Sequence, residues 1–269
     1  MRHALCLIGL ILAGAVAADA QQRPDLTAPA DVAAAPADAA RSATGLASKL
    51  ITPGPGTDKP SLEDYVIVHY TGWTADGRMF DSSYTRGTPS MFPLNRALLG
   101  WRECVQLMAV GEKRRCWVPQ ELAYRGAAGR PAGPVVFDID LMSVYPNPTV
   151  APTDVKGMPA DAKRTASGLG YRVLKAGTGT QKASPYSRVT VHYTGWTTNG
   201  KMFDSSVARG TPTTFRLDEV IRGWTDGVAL MVEGERTRFW IPEDLAYKGE
   251  AGSPRGMLVF DIELLKVDP

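Results

Sequence analysis

Hydrophobic and polar positions alternate with a period of two over several short stretches, each bounded by Gly, Pro, Asp or Asn. Val66, Val68 and Tyr70 alternate with the residues of another face, and so do Val189, Val191 and Tyr193. That period lays one side of an extended strand on a core and turns the other away. Arg114, Cys116 and Val118 interleave with Lys113, Arg115 and Trp117 as a further strand, and Val135 to Val144 and Leu258 to Val267 read as closing strands. Asp76-Gly77 and Asn199-Gly200 are hairpin-type turn dipeptides, because glycine accepts positive φ. From Leu99 to Met108 the period changes. Trp101, Val105 and Met108 stand at i, i+4 and i+7, and this spacing predicts one short helix with a single apolar stripe. Trp224, Val228 and Met231 repeat it. The pattern implies an α+β unit, an antiparallel sheet with a short helix on one face.

The unit occurs twice. Thr71-Gly72-Trp73-Thr74 recurs as Thr194-Gly195-Trp196-Thr197, an offset of 123. The offset also aligns Met79-Phe80-Asp81-Ser82-Ser83 with Met202-Phe203-Asp204-Ser205-Ser206. From Val66 to Leu141, 43 of 76 positions are identical, so one domain is duplicated. The likeness extends upstream: Ala28 to Val32 matches Ala151 to Val155, and Pro36 to Ala39 matches Pro159 to Ala162. Two readings fit this Ala/Pro-rich leader: a semi-extended flexible spacer, or a segment that docks on its own domain. The organisation expected is a leader at 21–43, a first domain at 44–145, a Pro-rich linker at 146–164 and a second domain at 165–269.

Composition narrows the chemistry. The 269 residues carry 30 basic and 28 acidic side chains, a net charge of +2. A polybasic nucleic-acid footprint is thereby excluded; Lys113-Arg114-Arg115 and Arg236-Thr237-Arg238 are too short to supply one. Three cysteines, none in a CxxC pair, give no zinc motif. His69 and His192 sit on strands between apolar neighbours, without a partner at metal-ligand spacing, and read as structural. No metal, nucleotide or other cofactor is expected. Arg2 and His3, the apolar run from Leu5 to Ala17 and the Ala18-Asp19-Ala20 site make residues 1–20 a signal peptide. Export to a periplasm or the extracellular space follows, with no membrane insertion after cleavage.

Val191-His192-Tyr193-Thr194-Gly195, Phe203-Asp204-Ser205-Ser206, Val220-Ile221-Arg222-Gly223-Trp224, Leu245-Ala246-Tyr247 and Leu258 to Leu265 resemble, in this order, the FKBP-type peptidyl-prolyl isomerases. The resemblance covers nearly all of residues 44–145 and 167–269. It implies a twisted antiparallel sheet wrapped around a short helix, with an apolar pocket between them that takes a proline ring. The matching wall residues of the second domain are Tyr193, Phe203, Val220, Ile221, Tyr247 and Phe260, with Trp224 as floor and Asp204 and Arg209 as a polar pair at the edge. Their first-domain equivalents are Tyr70, Phe80, Ala97, Leu98, Tyr124, Phe137, Trp101, Asp81 and Arg86. The catalytic roles fall to Asp81, Tyr124, Asp204 and Tyr247.

Simpler readings accompany each residue. Trp101 and Trp224 fit a helix core stripe. Asp-Ser-Ser is also a turn signature in which the carboxylate bonds nearby amides. Tyr124 and Tyr247 fit rim aromatics. Two features depart from the family pattern: the segments Gly126 to Pro131 and Gly249 to Pro254 are short, and Ser90 and Thr213 stand near a position often aromatic. Both bear on substrate preference and on affinity for macrolide inhibitors. In the first domain Ala97 replaces Val220 and Leu99 replaces Arg222, so the second is expected to be faster.

Cys104 stands where the second domain has Gly227, and Cys116 where it has Phe239. Two cysteines gained in one repeat, on the inward faces of a helix and a strand, suggest a Cys104–Cys116 disulfide; two small buried thiols are the alternative. The expected function is catalysis of X-Pro rotation in exported, unfolded or proline-containing polypeptides. The alternative is a non-catalytic chaperone or adaptor gripping such segments. Retention of Asp81, Tyr124, Asp204 and Tyr247 favours the enzyme. An exported factor acting on host protein also fits.

Overall fold

The computed structural model describes residues 25–268; the expected signal peptide lies outside them. The first unit contains β1 (Ala40–Arg41), β2 (Ala47–Thr52), β3 (Tyr65–Thr74), β4 (Met79–Ser82), α1 (Ser83–Arg86), β5 (Ser90–Pro93), α2 (Leu99–Gln106), β6 (Lys113–Val118) and β7 (Val135–Tyr145). The second repeats the order with β8 (Lys163–Arg164), β9 (Gly170–Lys175), β10 (Arg188–Thr197), β11 (Met202–Ser205), α3 (Ser206–Arg209), β12 (Thr213–Arg216), α4 (Arg222–Val228), β13 (Arg236–Ile241) and β14 (Leu258–Asp268). Each sheet has seven antiparallel strands. Their orders are β1-β2-β6-β7-β3-β4, with β5 also on β3, and β8-β9-β13-β14-β10-β11, with β12 also on β10. The architecture is the α+β one that the periodicity implies.

The predicted helix is present and ends at Gln106, two residues before Met108, which is nonetheless fully buried. Trp101, Cys104 and Val105 point from it into a core closed by Val66, Val68, Leu94, Phe137, Ile139 and Leu141. Trp224, Val228 and Met231 do the same in the second unit.

The alternation fails at the ends of β3 and β10. A bulge falls at Gly72/Trp73, and Thr71 to Thr74 are all buried. The cause is the leader, which covers the outer face of each sheet. Val32, Ala35 and Ala39 pack on Trp117 and Val136; Val155, Met158 and Ala162 pack on Trp196, Trp240 and Val259. The tryptophans donate to leader carbonyls: Trp73 Nε1 to Leu26 at 3.1 Å, Trp117 to Asp31 at 2.9 Å, Trp196 to Pro148 and Trp240 to Asp154, both at 3.0 Å. Arg115 joins Asp31 at 2.5 Å to Asp138 at 2.6 Å, and Arg238 joins Asp154 to Asp261, each at 2.6 Å. Of the two readings open for the leader, the structure has the docked one. Its carbonyls satisfy indole N–H groups that would otherwise be costly to bury.

Cys104 and Cys116 are joined, with Cα atoms 6.5 Å apart, within the span a disulfide bridges. The second-unit pair shows why both positions changed together. A Cβ at Gly227 would meet the Phe239 ring at 2.8 Å, so the glycine makes room for the ring.

The units meet at Tyr145. Its buried ring lies 5.2 Å from the His192 ring and 4.3 Å from the Arg236 guanidinium. Arg236 donates to the Val144 carbonyl at 3.0 Å and pairs with Glu263 at 2.8 Å. In the first unit the same seat is taken from within. Tyr84 stacks on His69 at 4.3 Å and donates to Asp140 at 2.6 Å. Val207 stands in the position of Tyr84 in the second unit, which leaves the seat open to Tyr145.

Candidate active site

The second unit carries a cavity of about 290 Å³ lined by Tyr193, Phe203, Asp204, Thr213, Phe215, Glu219, Val220, Ile221, Trp224, Tyr247 and Phe260. Every second-unit wall residue expected from the sequence is present. Trp224 lines this cavity and is also core, 5% exposed. Edge-to-face contacts set the walls: Tyr193 to Trp224 at 5.0 Å, Phe260 to Trp224 at 5.3 Å and Phe203 to Phe260 at 5.4 Å. Such pairs prefer this geometry because a positive ring edge meets a negative face.

Gly195 allows these rings to close over β10. A Cβ there would lie 2.6 Å from the Phe260 ring and 2.8 Å from that of Phe203. Gly72 plays the same part beneath Phe137 and Phe80. The glycine of the Thr-Gly-Trp repeat is thus a packing requirement of the pocket.

The polar edge is built by α3. Ser205 is its N-cap, accepting from the Ala208 amide at 3.1 Å, and Arg209 closes its single turn. That turn carries the guanidinium back to Asp204, five residues earlier. Arg209 Nη1 donates to Asp204 Oδ1. The Tyr193 hydroxyl donates to Asp204 Oδ2 at 2.5 Å and accepts from Arg209 Nη2 at 3.0 Å. The Asp-Ser-Ser signature therefore divides its work: serines cap and brace the backbone, and the aspartate turns to the pocket. Ser206 Oγ accepts from the Tyr193 amide at 2.8 Å and lies 3.1 Å from His192 Nδ1. Burial raises the Tyr193 hydroxyl's pKa, and the Asp204 hydrogen bond raises it further.

Tyr247 follows a single 3₁₀ turn, Glu243–Leu245, and Lys248 behind it holds φ at 52°. Burial raises its hydroxyl pKa, and the nearby Asp204 charge adds to this.

In the first unit Tyr70, Phe80, Ala97, Leu98 and Tyr124 are partly buried around Trp101 and Phe137. Tyr70 meets Trp101 at 5.0 Å, and Phe137 meets Trp101 at 5.1 Å. Asp81 accepts from Tyr70 at 2.6 Å and from Arg86 at 2.5 Å. Burial pushes the Asp81 carboxyl up, but these hydrogen bonds outweigh it and the net shift is downward.

Sequence reasoning missed Phe215 and Phe92, which face Trp224 and Trp101 at 5.3 Å and 5.7 Å. They stand two residues after Thr213 and Ser90, on the same faces of β12 and β5. Alternation was the available signal, but each strand is only four residues long. Glu219, on the pocket lining, was also missed.

The family model described as FKBP-type peptidyl-prolyl cis-trans isomerase matches residues 56–142 and again 179–265. The chain belongs to that family. A probable FKBP-type isomerase of Haemophilus influenzae is 47% identical over 114 residues, 40% of this chain and 46% of that protein. FkpA of Aeromonas hydrophila is 51% identical over 110 residues, covering 39% and 40% respectively. The macrophage infectivity potentiator of Trypanosoma cruzi is 43% identical over 116 residues, covering 42% and 59%. The chain thus spans about half the length of these curated relatives. Among solved structures, Escherichia coli FkpA is 42% identical over 41% of this chain and 53% of its own, with a TM-score of 0.39. The three FKBP domains of wheat FKBP73 cover 84% of this chain at 24% identity, with a TM-score of 0.38.

Proposed function

We propose that this tandem FKBP chain is a peptidyl-prolyl cis-trans isomerase acting on proline-containing, incompletely folded polypeptides outside the cytoplasm. The observation that carries the activity is the aromatic pocket of the second unit with its Tyr–Asp–Arg edge, whose residues recur in the first unit with the same Tyr–Asp–Arg contacts. The N-terminal charged and apolar segment supports export.

The reaction breaks no σ bond. Its barrier of about 18–20 kcal/mol comes from the amide resonance lost on rotation. A proline ring seated between Tyr193, Phe203, Val220, Ile221 and Phe260, over Trp224, places the rotating imide among apolar walls. The twisted imide is less charge-separated than the planar one, so such walls disfavour the planar ground state more. Preference for the twisted form is what lowers a barrier. The Tyr247 hydroxyl donates to a substrate carbonyl. Asp204, held by Tyr193 and Arg209, sets its charge beside the rotating carbonyl's dipole. In the first unit Tyr124 and Asp81 take these roles. An X-Pro bond turns over in tens to hundreds of seconds unaided, slow enough to limit folding, so an isomerase at such a step speeds it.

The test is an NMR-exchange assay on short X-Pro peptides with the full chain. Asp81→Leu with Asp204→Leu should lower kcat/KM. Tyr124→Phe with Tyr247→Phe should lower it about tenfold, the worth of one substrate hydrogen bond. Unchanged values in both would remove these roles. Binding of unfolded chains without turnover by the wild type would replace the enzyme with the binding module.

A further inference from the structure

The two sites share their aromatic walls but not the charge at their mouths. Glu219 lines the second pocket, directly before the wall residues Val220 and Ile221. The repeat offset puts Arg96 in its place, directly before Ala97 and Leu98. Both close a single 3₁₀ turn, Leu217–Glu219 and Leu94–Arg96, and both are exposed. The opposite rim repeats the inversion. The Arg130 guanidinium lies 5.5 Å from the centre of the Tyr124 ring; Ser253 replaces it in the second unit. Glu250 stands in the second rim where the first has Ala127. The two tyrosines register the difference. Burial raises both, but Arg130 opposes the rise at Tyr124 while Glu250 adds to it at Tyr247.

Three basic replacements run the other way. Arg216, in place of Pro93, pairs with Asp218 at 2.8 Å. Arg222, in place of Leu99, turns to Asp226 on its own helix at 3.6 Å. Arg255, in place of Ala132, is exposed and outside the pocket lining. None of the three lines the pocket. Glu219 therefore faces any segment entering the second pocket, with Glu250 near Tyr247, and Arg130 lies over Tyr124 of the first unit, with Arg96 at the position of Glu219.

We propose that the two pockets divide their substrates by charge: the first takes prolines flanked by acidic residues, the second prolines flanked by basic residues. This rests on the isomerase reading for its substrate class. Charges at an exposed mouth act over a Debye length of about 8 Å at physiological salt, enough to reach the residues adjoining a seated proline.

The test uses the full chain with one pocket silenced at a time, by Asp81→Leu/Tyr124→Phe or by Asp204→Leu/Tyr247→Phe. Peptides differing only in Glu or Lys beside the proline are compared by kcat/KM at low salt. The Glu/Lys ratio should exceed one in the first pocket and fall below one in the second. The two ratios should differ by about tenfold, since each exposed charge is worth only a few-fold. The difference should collapse at about 0.5 M salt. Glu219→Arg in the chain with its first pocket silenced should move the ratio toward that of the first. Equal ratios in both pockets would overturn the proposal. NMR titration of the wild-type chain with the same peptides separates the two failures. Opposite binding preferences without turnover would remove the isomerase reading and keep the charge division; equal preferences would remove the division.

Discussion

Tyr145 of the first unit sits 5.2 Å, ring centre to ring centre, from His192 of the second. It fills the seat that Tyr84 fills within its own unit against His69. One substitution, Tyr84 to Val207, opens the seat, and the last residue of β7 enters it from the preceding unit. The joint between the units is thus a borrowed piece of intradomain packing.

Removing the ring should cost both the apolar contact and the cavity left behind. Tyr145→Ala is expected to destabilise the chain by about 3 kcal/mol or more, as buried aromatic truncations do. Val207→Tyr should supply the seat from within and expel Tyr145. Small-angle X-ray scattering should then show a larger radius of gyration for both variants. A profile identical to wild type in both would mean that the joint is held elsewhere.

His192 makes the joint sensitive to acid. Burial holds its pKa at about 4, Arg236 pushes in the same direction, and Glu263 opposes. The unfolded value is about 6.5. Above that pH the ring is neutral in both states and its contribution is constant. Between 6.5 and 4 the unfolded chain takes a proton that the folded chain refuses, so stability falls, by about 3 kcal/mol in all. The Glu263 carboxyl, held low by Arg236 against its own burial, adds a loss in the same direction at still lower pH. Urea unfolding from pH 7 to 4 should show the slope, and His192→Gln should flatten it.

The disulfide belongs to the first unit alone. It closes a loop of 12 residues between α2 and β6. Reduction should destabilise that unit by about 3 kcal/mol in the chain-entropy model. Hydrogen exchange should quicken in Leu99–Gln106 and leave Arg222–Val228 unchanged. Free-thiol labelling of both cysteines in unreduced protein would refute the bridge.

The docked leader makes a fourth measurable contribution. Asp154 pairs with both Arg238 and Arg172, and its carbonyl accepts from Trp240. Asp154→Ala leaves Arg238 paired with Asp261 only. The expected cost is about 1–3 kcal/mol, that of a partly unsatisfied buried charge. Amide exchange at 150–160 should rise before the rest of the second unit responds. No change in exchange there would show that apolar contact alone holds the leader.

The amino-acid sequence by itself determined the duplication and the strand and helix periods, because those signals are local or repeat at one offset; the aromatic pocket residues are named through the family resemblance of their motifs. Trp101, Val105 and Met108 declare a helix face through spacing alone, and Tyr193, Phe203 and Phe260 are recognisable from their order. Tertiary structure decided what depends on residues far apart in the chain. Trp117 stands at a strand position that reads as outward, yet the leader buries it from 86 residues away. Phe215 reaches Trp224 only because β12 lies against β10. Tyr145 carries no signal of its role, since a closing strand ends in an aromatic as readily on a free surface as in a joint. Period reports the face a side chain occupies; what covers that face is set by long-range packing.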